Sequence, residues 1–140
     1  MIVLDTSGVL AFIDAGQHRH EEVTRSLERD PGPFLLSPFV AAEVDYLLLE
    51  RVGAAAELLF LGEIARGAYQ LEGFGAEDVE QAAQVIGRYR DLRIGLTDAS
   101  LVVLAARAGT NRLLTLDERH FRAVRPLRGR AFTLLPADAA

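Results

Sequence analysis

The sequence predicts an α/β protein, an α/β/α sandwich around a mainly parallel sheet of roughly five strands. Short apolar runs alternate with longer amphipathic stretches of helical period, and glycine, proline and aspartate fall between them. At 140 residues, half of them apolar, the chain reads as one domain spanning residues 1–140 with a core of its own. No internal repeat, low-complexity tract or long linker divides it.

Ile2-Val3-Leu4 reads as a buried strand, and residues 6–14 and 20–29 follow as helices. Asp30-Pro31-Gly32-Pro33 breaks the second helix, because proline lacks the donor that a helix interior needs. Residues 34–36 form the next strand. Pro38 suits a first helical turn, and residues 39–51 and 54–66 continue as helices parted at Gly53. Residues 68–71 are a weak strand, 76–89 a helix, and 97–108 a helix ended by Gly109. Residues 112–116 and 131–135 supply the last strands, with a short helix from Asp117 through Phe121 between them. In such sheets functional groups gather at the carboxyl ends of strands, where Asp5 and Asp117 fall.

Composition excludes several chemistries. There is no cysteine, hence no disulfide, thiolate nucleophile or iron-sulfur ligand, in keeping with a reducing cytosol. The first ten residues carry no Lys or Arg, and Asp5 interrupts an apolar run too short for a signal peptide or membrane span. A soluble, cytoplasmic protein is expected. A net charge of −5 argues against nucleic-acid binding through overall positive potential. Charge is uneven, however: residues 107–140 hold seven Arg against three acids, a local excess of +4. All 15 cations are Arg, so no mechanism that needs lysine is available.

Asp5, Glu43, Asp98 and Asp117 concentrate the chemistry. Each has a structural reading: Asp5 as a helix cap, Asp98 as a first-turn residue complementing the helix dipole, and Asp117 as the cap of a short helix. Glu43 is surrounded by Val40, Ala41, Ala42, Val44, Leu47 and Leu48, which implies burial and therefore a partner. Brought together at one sheet edge, such carboxylates would repel by about 3 kcal/mol per pair at 5 Å and an effective dielectric of 20. They would be protonated or filled by a cation, and an oxygen-only ligand set suits Mg²⁺ or Mn²⁺.

The motifs Leu4-Asp5-Thr6-Ser7, Ala42-Glu43, Leu96-Thr97-Asp98-Ala99 and Leu114-Thr115-Leu116-Asp117, with Phe121 following, resemble in order and spacing the PIN-domain family. More narrowly they resemble the VapC-type toxins of bacterial type II toxin–antitoxin pairs. The resemblance runs from Ile2 to Pro136. It implies a Mg²⁺- or Mn²⁺-dependent endoribonuclease with Asp5, Glu43, Asp98 and Asp117 as catalytic and metal-holding positions. It also implies a structured RNA substrate such as tRNA or rRNA, a homodimer, and a small cognate antitoxin covering the acidic site.

Thr6, Ser7 and Thr97 are candidates to orient the carboxylates or a water, with capping as the alternative. Arg119, Arg122 and Arg125, with Arg128 and Arg130 beyond them, are candidates to hold RNA phosphates or form an ordinary solvated face. His18 and His20 read as solvated or capping residues, His120 as a candidate proton donor, and Asp91 as an ion-pair partner of Arg88, Arg90 or Arg93. Leu47, Leu48, Leu49, Leu58, Leu59, Phe60, Leu61 and Ile64 carry more apolar surface than one side of a sheet can cover, so part of it is expected to meet another chain. A phosphoacceptor receiver domain would want a lysine, and a haloacid-dehalogenase-type phosphatase an aspartate where Ser7 stands. The open alternative is a PIN-like module that binds RNA or a partner without cutting it.

Overall fold

Ile2, Val3 and Leu4 lie wholly buried at the centre of the sheet and form β1 (Ile2–Leu4). The computed structural model describes residues 1–139. β1 pairs in parallel with β2 (Phe34–Leu36) on one side and β4 (Arg112–Leu114) on the other. β3 (Gln70–Leu71) and β5 (Thr133–Leu135) close the two edges, so the all-parallel order is β3-β2-β1-β4-β5.

Seven helices connect the strands: α1 (Thr6–Ile13), α2 (His20–Glu28), α3 (Pro38–Arg51), α4 (Ala54–Ala65), α5 (Ala76–Arg88), α6 (Leu96–Ala108) and α7 (Glu118–Ala123). A short 3-10 turn, Arg90–Leu92, leads from α5 into α6. The chain steps from β1 outward to β3, then returns past β1 to β4 and β5. Right-handed crossovers therefore set α1 to α4 on one face and α5 to α7 on the other, the α/β/α layering expected. In α6 every residue from Ala99 to Ala105 is buried, including Ser100, so this helix runs through the core. The direction of winding reverses between β1 and β4, which opens a crevice at their carboxyl ends.

Strand ends are where expectation and structure part. β4 stops at Leu114 and not at residue 116, β5 begins at Thr133 and not at 131, and β3 shrinks to Gln70–Leu71. Thr115 still gives its N–H to the Leu135 carbonyl, but the Leu116 N–H goes to the Ser7 hydroxyl and the ladder ends there. Pro38 occupies the first turn of α3, as its fixed φ favours. Gly8 permits a close approach of α1 to β4, since a Cβ there would lie 2.7 Å from Leu114 Cγ and 2.8 Å from the Leu114 carbonyl oxygen. Any larger residue would lever α1, and Asp5 at its start, away from β4.

At the amino end of the sheet Asp30 is buried against the Arg112 guanidinium, the Gly32 amide and the Met1 ammonium. On the α3–α4 side Leu48 and Phe60 are buried, but Leu49, Leu58, Leu59 and Leu61 are exposed, together with Tyr46 and Val52. No helix among the described residues is long and apolar enough to cross a membrane.

Candidate metal centre

β1 ends by handing its next residue to α1. Asp5 has extended backbone, caps α1, and donates its own N–H to the Leu114 carbonyl (2.9 Å). Its carboxylate is 95% withdrawn from solvent and bound on both oxygens. Oδ1 accepts the Thr6 N–H (2.8 Å), while Oδ2 accepts the Thr115 hydroxyl (2.7 Å) and the Ser7 hydroxyl (3.2 Å). Those hydroxyls are themselves fixed: Ser7 Oγ accepts the Leu116 N–H (2.9 Å) and Thr115 Oγ1 the Asp117 N–H (2.9 Å). Every donor to Asp5 is neutral. Burial therefore raises its pKa above the usual carboxylate range despite these bonds, and the charge of Asp117 pushes the same way.

Asp98 stands in the first turn of α6, half-buried, and Asp117 caps α7 by accepting the His120 N–H on Oδ1 (3.2 Å). That turn brings His120 back over the acids, with Nδ1 2.9 Å from Asp117 Oδ2 and 3.6 Å from Asp98 Oδ2. One ligand atom each from Asp98, Asp117 and His120 lies within 4.8 Å of the others. Burial lifts the Asp98 pKa to about 6, helped by the charges of Asp5, Asp117 and Glu43 and opposed by His120. The charges of the other three sequence-derived acids thus all act on Asp98.

Glu43 departs from expectation, and what ties it to the other acids is its charge acting on Asp98. It is exposed, not buried, because α3 turns Val40, Val44 and Leu48 inward and leaves Glu43 one step off that stripe. The apolar neighbours that suggested burial partly face outward themselves. Thr6 supplies its backbone N–H while its hydroxyl is buried without a partner, so only Ser7 of that pair orients Asp5 through its side chain. Thr97 offers its carbonyl to the Ser100 hydroxyl (2.6 Å), and its own hydroxyl makes no hydrogen bond among the described residues.

The arginines divide as well. Arg122 is held by both oxygens of Asp138 (2.8 and 2.6 Å) and by Glu118 (3.3 Å), so as a phosphate binder it is already engaged. Arg119 and Arg125 are exposed with no ion pair among the described residues, and Arg128 and Arg130 are exposed beside them. Asp91 is exposed on the 3-10 turn and pairs with none of its neighbouring arginines among those residues. His18 is exposed, and His20 Nδ1 lies 2.7 Å from the Ala11 carbonyl oxygen, a local structural contact.

Sequence reasoning missed Thr115, whose one signal was a hydroxyl inside the apolar run Leu113-Leu114-Thr115-Leu116. It read His120 as a candidate proton donor and not as a neighbour of two carboxylates. The Nδ1 of His120 is buried yet makes no well-aligned hydrogen bond, even beside Asp117. Among the described residues no arginine forms an ion pair with Asp5, Glu43, Asp98 or Asp117. Oxygen donors in excess, one unpartnered nitrogen and no internal cation fit a divalent metal ion.

A parallel α/β/α sandwich with such a pocket at its topological switch point defines the class, an α/β protein with an acidic centre suited to a divalent metal ion. Residues 2–126 match the PIN domain family. The chain is 46% identical over 135 residues to Ribonuclease VapC26 of Mycobacterium tuberculosis, covering 96% of this chain and 100% of that protein. Its fold matches the crystal structure of Mycobacterium tuberculosis VapC20, a sarcin-ricin loop cleaving toxin, with a TM-score of 0.82 at 25% identity over 93% of this chain and 99% of that one. A toxin–antitoxin complex from Klebsiella pneumoniae shares the fold, with a TM-score of 0.67 at 18% identity over 89% and 92%. The chain belongs to the PIN-domain family, among its VapC ribonucleases.

Proposed function

We propose that this ribonuclease is the toxin of a toxin–antitoxin pair and hydrolyses phosphodiester bonds in a structured RNA, tRNA or rRNA. Mg²⁺ or Mn²⁺ is held by Asp5, Asp98, Asp117 and Glu43, with the His120 nitrogen as an additional donor. The observation that carries this reading is the set of ligand atoms from Asp98, Asp117 and His120 within 4.8 Å of one another, under the field of Asp5 and Glu43.

A divalent ion bound there supplies Lewis-acid chemistry at the phosphate. The chain's own residues do the positioning. Thr115 and Ser7 orient Asp5 through Oδ2, α6 presents Asp98 from its first turn, and the α7 cap ties Asp117 to His120. Glu43, exposed on α3, adds its charge to the field at Asp98. No side-chain nucleophile is needed, since water is the attacking group in hydrolysis.

A homodimer and a small antitoxin find support in the exposed apolar surface of α3 and α4, which includes Tyr46, Leu58 and Leu59. Cytoplasmic action agrees with an RNA target and with the absence of cysteine.

The test is cleavage of cellular RNA by the parent, Asp5→Asn and Asp98→Asn proteins, with and without chelator and added Mn²⁺. Each substitution should lower the rate roughly 100-fold or more, and chelation should silence the parent until Mn²⁺ is restored. Cleavage that ignores the chelator would overturn the reading. RNA bound tightly but never cut would favour the binding-module alternative.

A further inference from the structure

We propose that a cleft between α2 and the edge strand β5 binds phosphate groups of the RNA strand that flanks the acidic pocket. The inference rests on the ribonuclease reading and adds a second contact for its substrate.

On the face that carries α1 to α4, β5 has no helix of its own: α7, which leads into it, packs on the opposite face. The space left beside α2 is a cleft of about 450 Å³. Arg25 and Arg29, one helical turn apart on α2, line it with Arg112 on β4, opposite Thr133 and Leu135. Two acids also line it, but each is engaged: Glu22 by Arg19 (3.1 Å) and Asp138 by Arg122 (2.6 Å). Arg112 is likewise held by buried Asp30. What remains among the described residues is the pair Arg25 and Arg29, both exposed and in no ion pair. Two guanidiniums at one mouth, with the acids neutralised, select an anion with bidentate oxygens.

Position favours RNA over a small anion. The carbonyl of Leu135, at one end of the cleft, accepts the Thr115 N–H (3.0 Å), and the Thr115 hydroxyl donates to Asp5 (2.7 Å). The cleft and the acidic pocket therefore share the β4–β5 wall, the cleft running from Leu135 back to Arg112 at the amino end of the sheet. A strand with one phosphate at the acids carries the next ones over the β4–β5 edge toward Arg25 and Arg29. It also answers how a protein of net charge −5 holds a polyanion, by a local cationic cleft and not by its overall field.

Binding of a labelled RNA hairpin with single-stranded flanks, followed by fluorescence anisotropy in chelator, separates this contact from cleavage. Arg25→Gln/Arg29→Gln should weaken binding about tenfold or more and lower the slope of log affinity against log salt by about 1.4, for two phosphate contacts on a single strand. Arg25→Lys/Arg29→Lys should restore most of the slope. Arg51→Gln/Arg66→Gln, the same charge removed from the α3–α4 side, should leave it near the parent's. Unchanged affinity and slope in the α2 double variant would overturn the proposal. So would inorganic phosphate filling the cleft without RNA competing for it, or a polyglutamate peptide displacing the RNA more strongly than unlabelled RNA does. Binding that depends on Arg25 and Arg29 in a protein that never cuts RNA would keep the cleft and remove the ribonuclease reading. Cleavage with unaltered KM in the double variant would do the reverse.

Discussion

Two buried aspartates sit at opposite ends of one sheet and meet opposite fates. The Asp30 side chain is 1% exposed, and burial alone would push its pKa up. The Gly32 amide, the Arg112 guanidinium and the Met1 ammonium more than offset this, so its carboxyl stays below the usual range. Asp5 is equally buried, but its donors are an amide and two hydroxyls and its charged neighbours are acids, so its carboxyl stays above that range. The amino end of the sheet is electrostatically complete. The carboxyl end is short of one cation. Buried charge by itself marks neither stability nor function, and the sign of what surrounds it decides which.

Removing the cation from the complete end should have the largest effect. Arg112→Ala leaves Asp30 buried beside the Gly32 amide and the Met1 ammonium at 3.5 Å, and should lower stability by about 3 kcal/mol in urea unfolding, allowing for the exposed part of the guanidinium. Because the folded pKa of Asp30 is depressed, the lost contribution is one present above the ordinary carboxylate range and lost as pH falls through the folded value. A loss under about 0.5 kcal/mol, no more than a surface pair gives, would break the contrast.

Neutralising an acid at the incomplete end should act in the opposite direction. Burial pushes the folded Asp98 carboxyl up to about 6 from an ordinary 3.8, so the folded state binds the extra proton between those values. Metal-free parent protein should therefore lose stability relative to Asp98→Asn as pH rises from about 4 to about 6. At pH 7 the variant should be the more stable by about 2 kcal/mol, discounted for partial exposure. Added Mn²⁺ should raise the melting temperature of the parent and leave the variant nearly unmoved. Parallel pH profiles for the two proteins would contradict this.

A smaller change sharpens the comparison further. Thr115→Val keeps the shape of the wall but removes the hydroxyl that serves Asp5 and receives the Asp117 N–H. Stability should fall by about 1 kcal/mol and Mn²⁺ affinity by roughly tenfold, measured by calorimetry. Unaltered metal affinity would mean that Thr115 only packs.

The difference between the two ends was half visible in the amino-acid order. Asp5, Asp98 and Asp117 could be read because each follows an apolar run or opens a helix, and local chain geometry carries such residues to a sheet edge. Glu43 was expected to be buried, and it is exposed, since its apolar neighbours do not cover it. Asp30 was taken only as part of a breaker segment, and Arg122 as a phosphate binder, because their partners Arg112 and Asp138 are remote in sequence. His120 was undervalued for the same cause: only the α7 turn brings its ring over Asp98.

Hydrophobic period, breaker residues and caps determine by themselves the alternation of strands and helices, the α/β class and the carboxylates at strand ends, since all of these act within a few residues of chain. Only the tertiary structure decided which charges were answered. Thr115 meets Asp5 across a separation of 110 residues and Arg112 meets Asp30 across 82. Electrostatic energy depends on distance in space and on burial, and neither is a property of neighbouring letters.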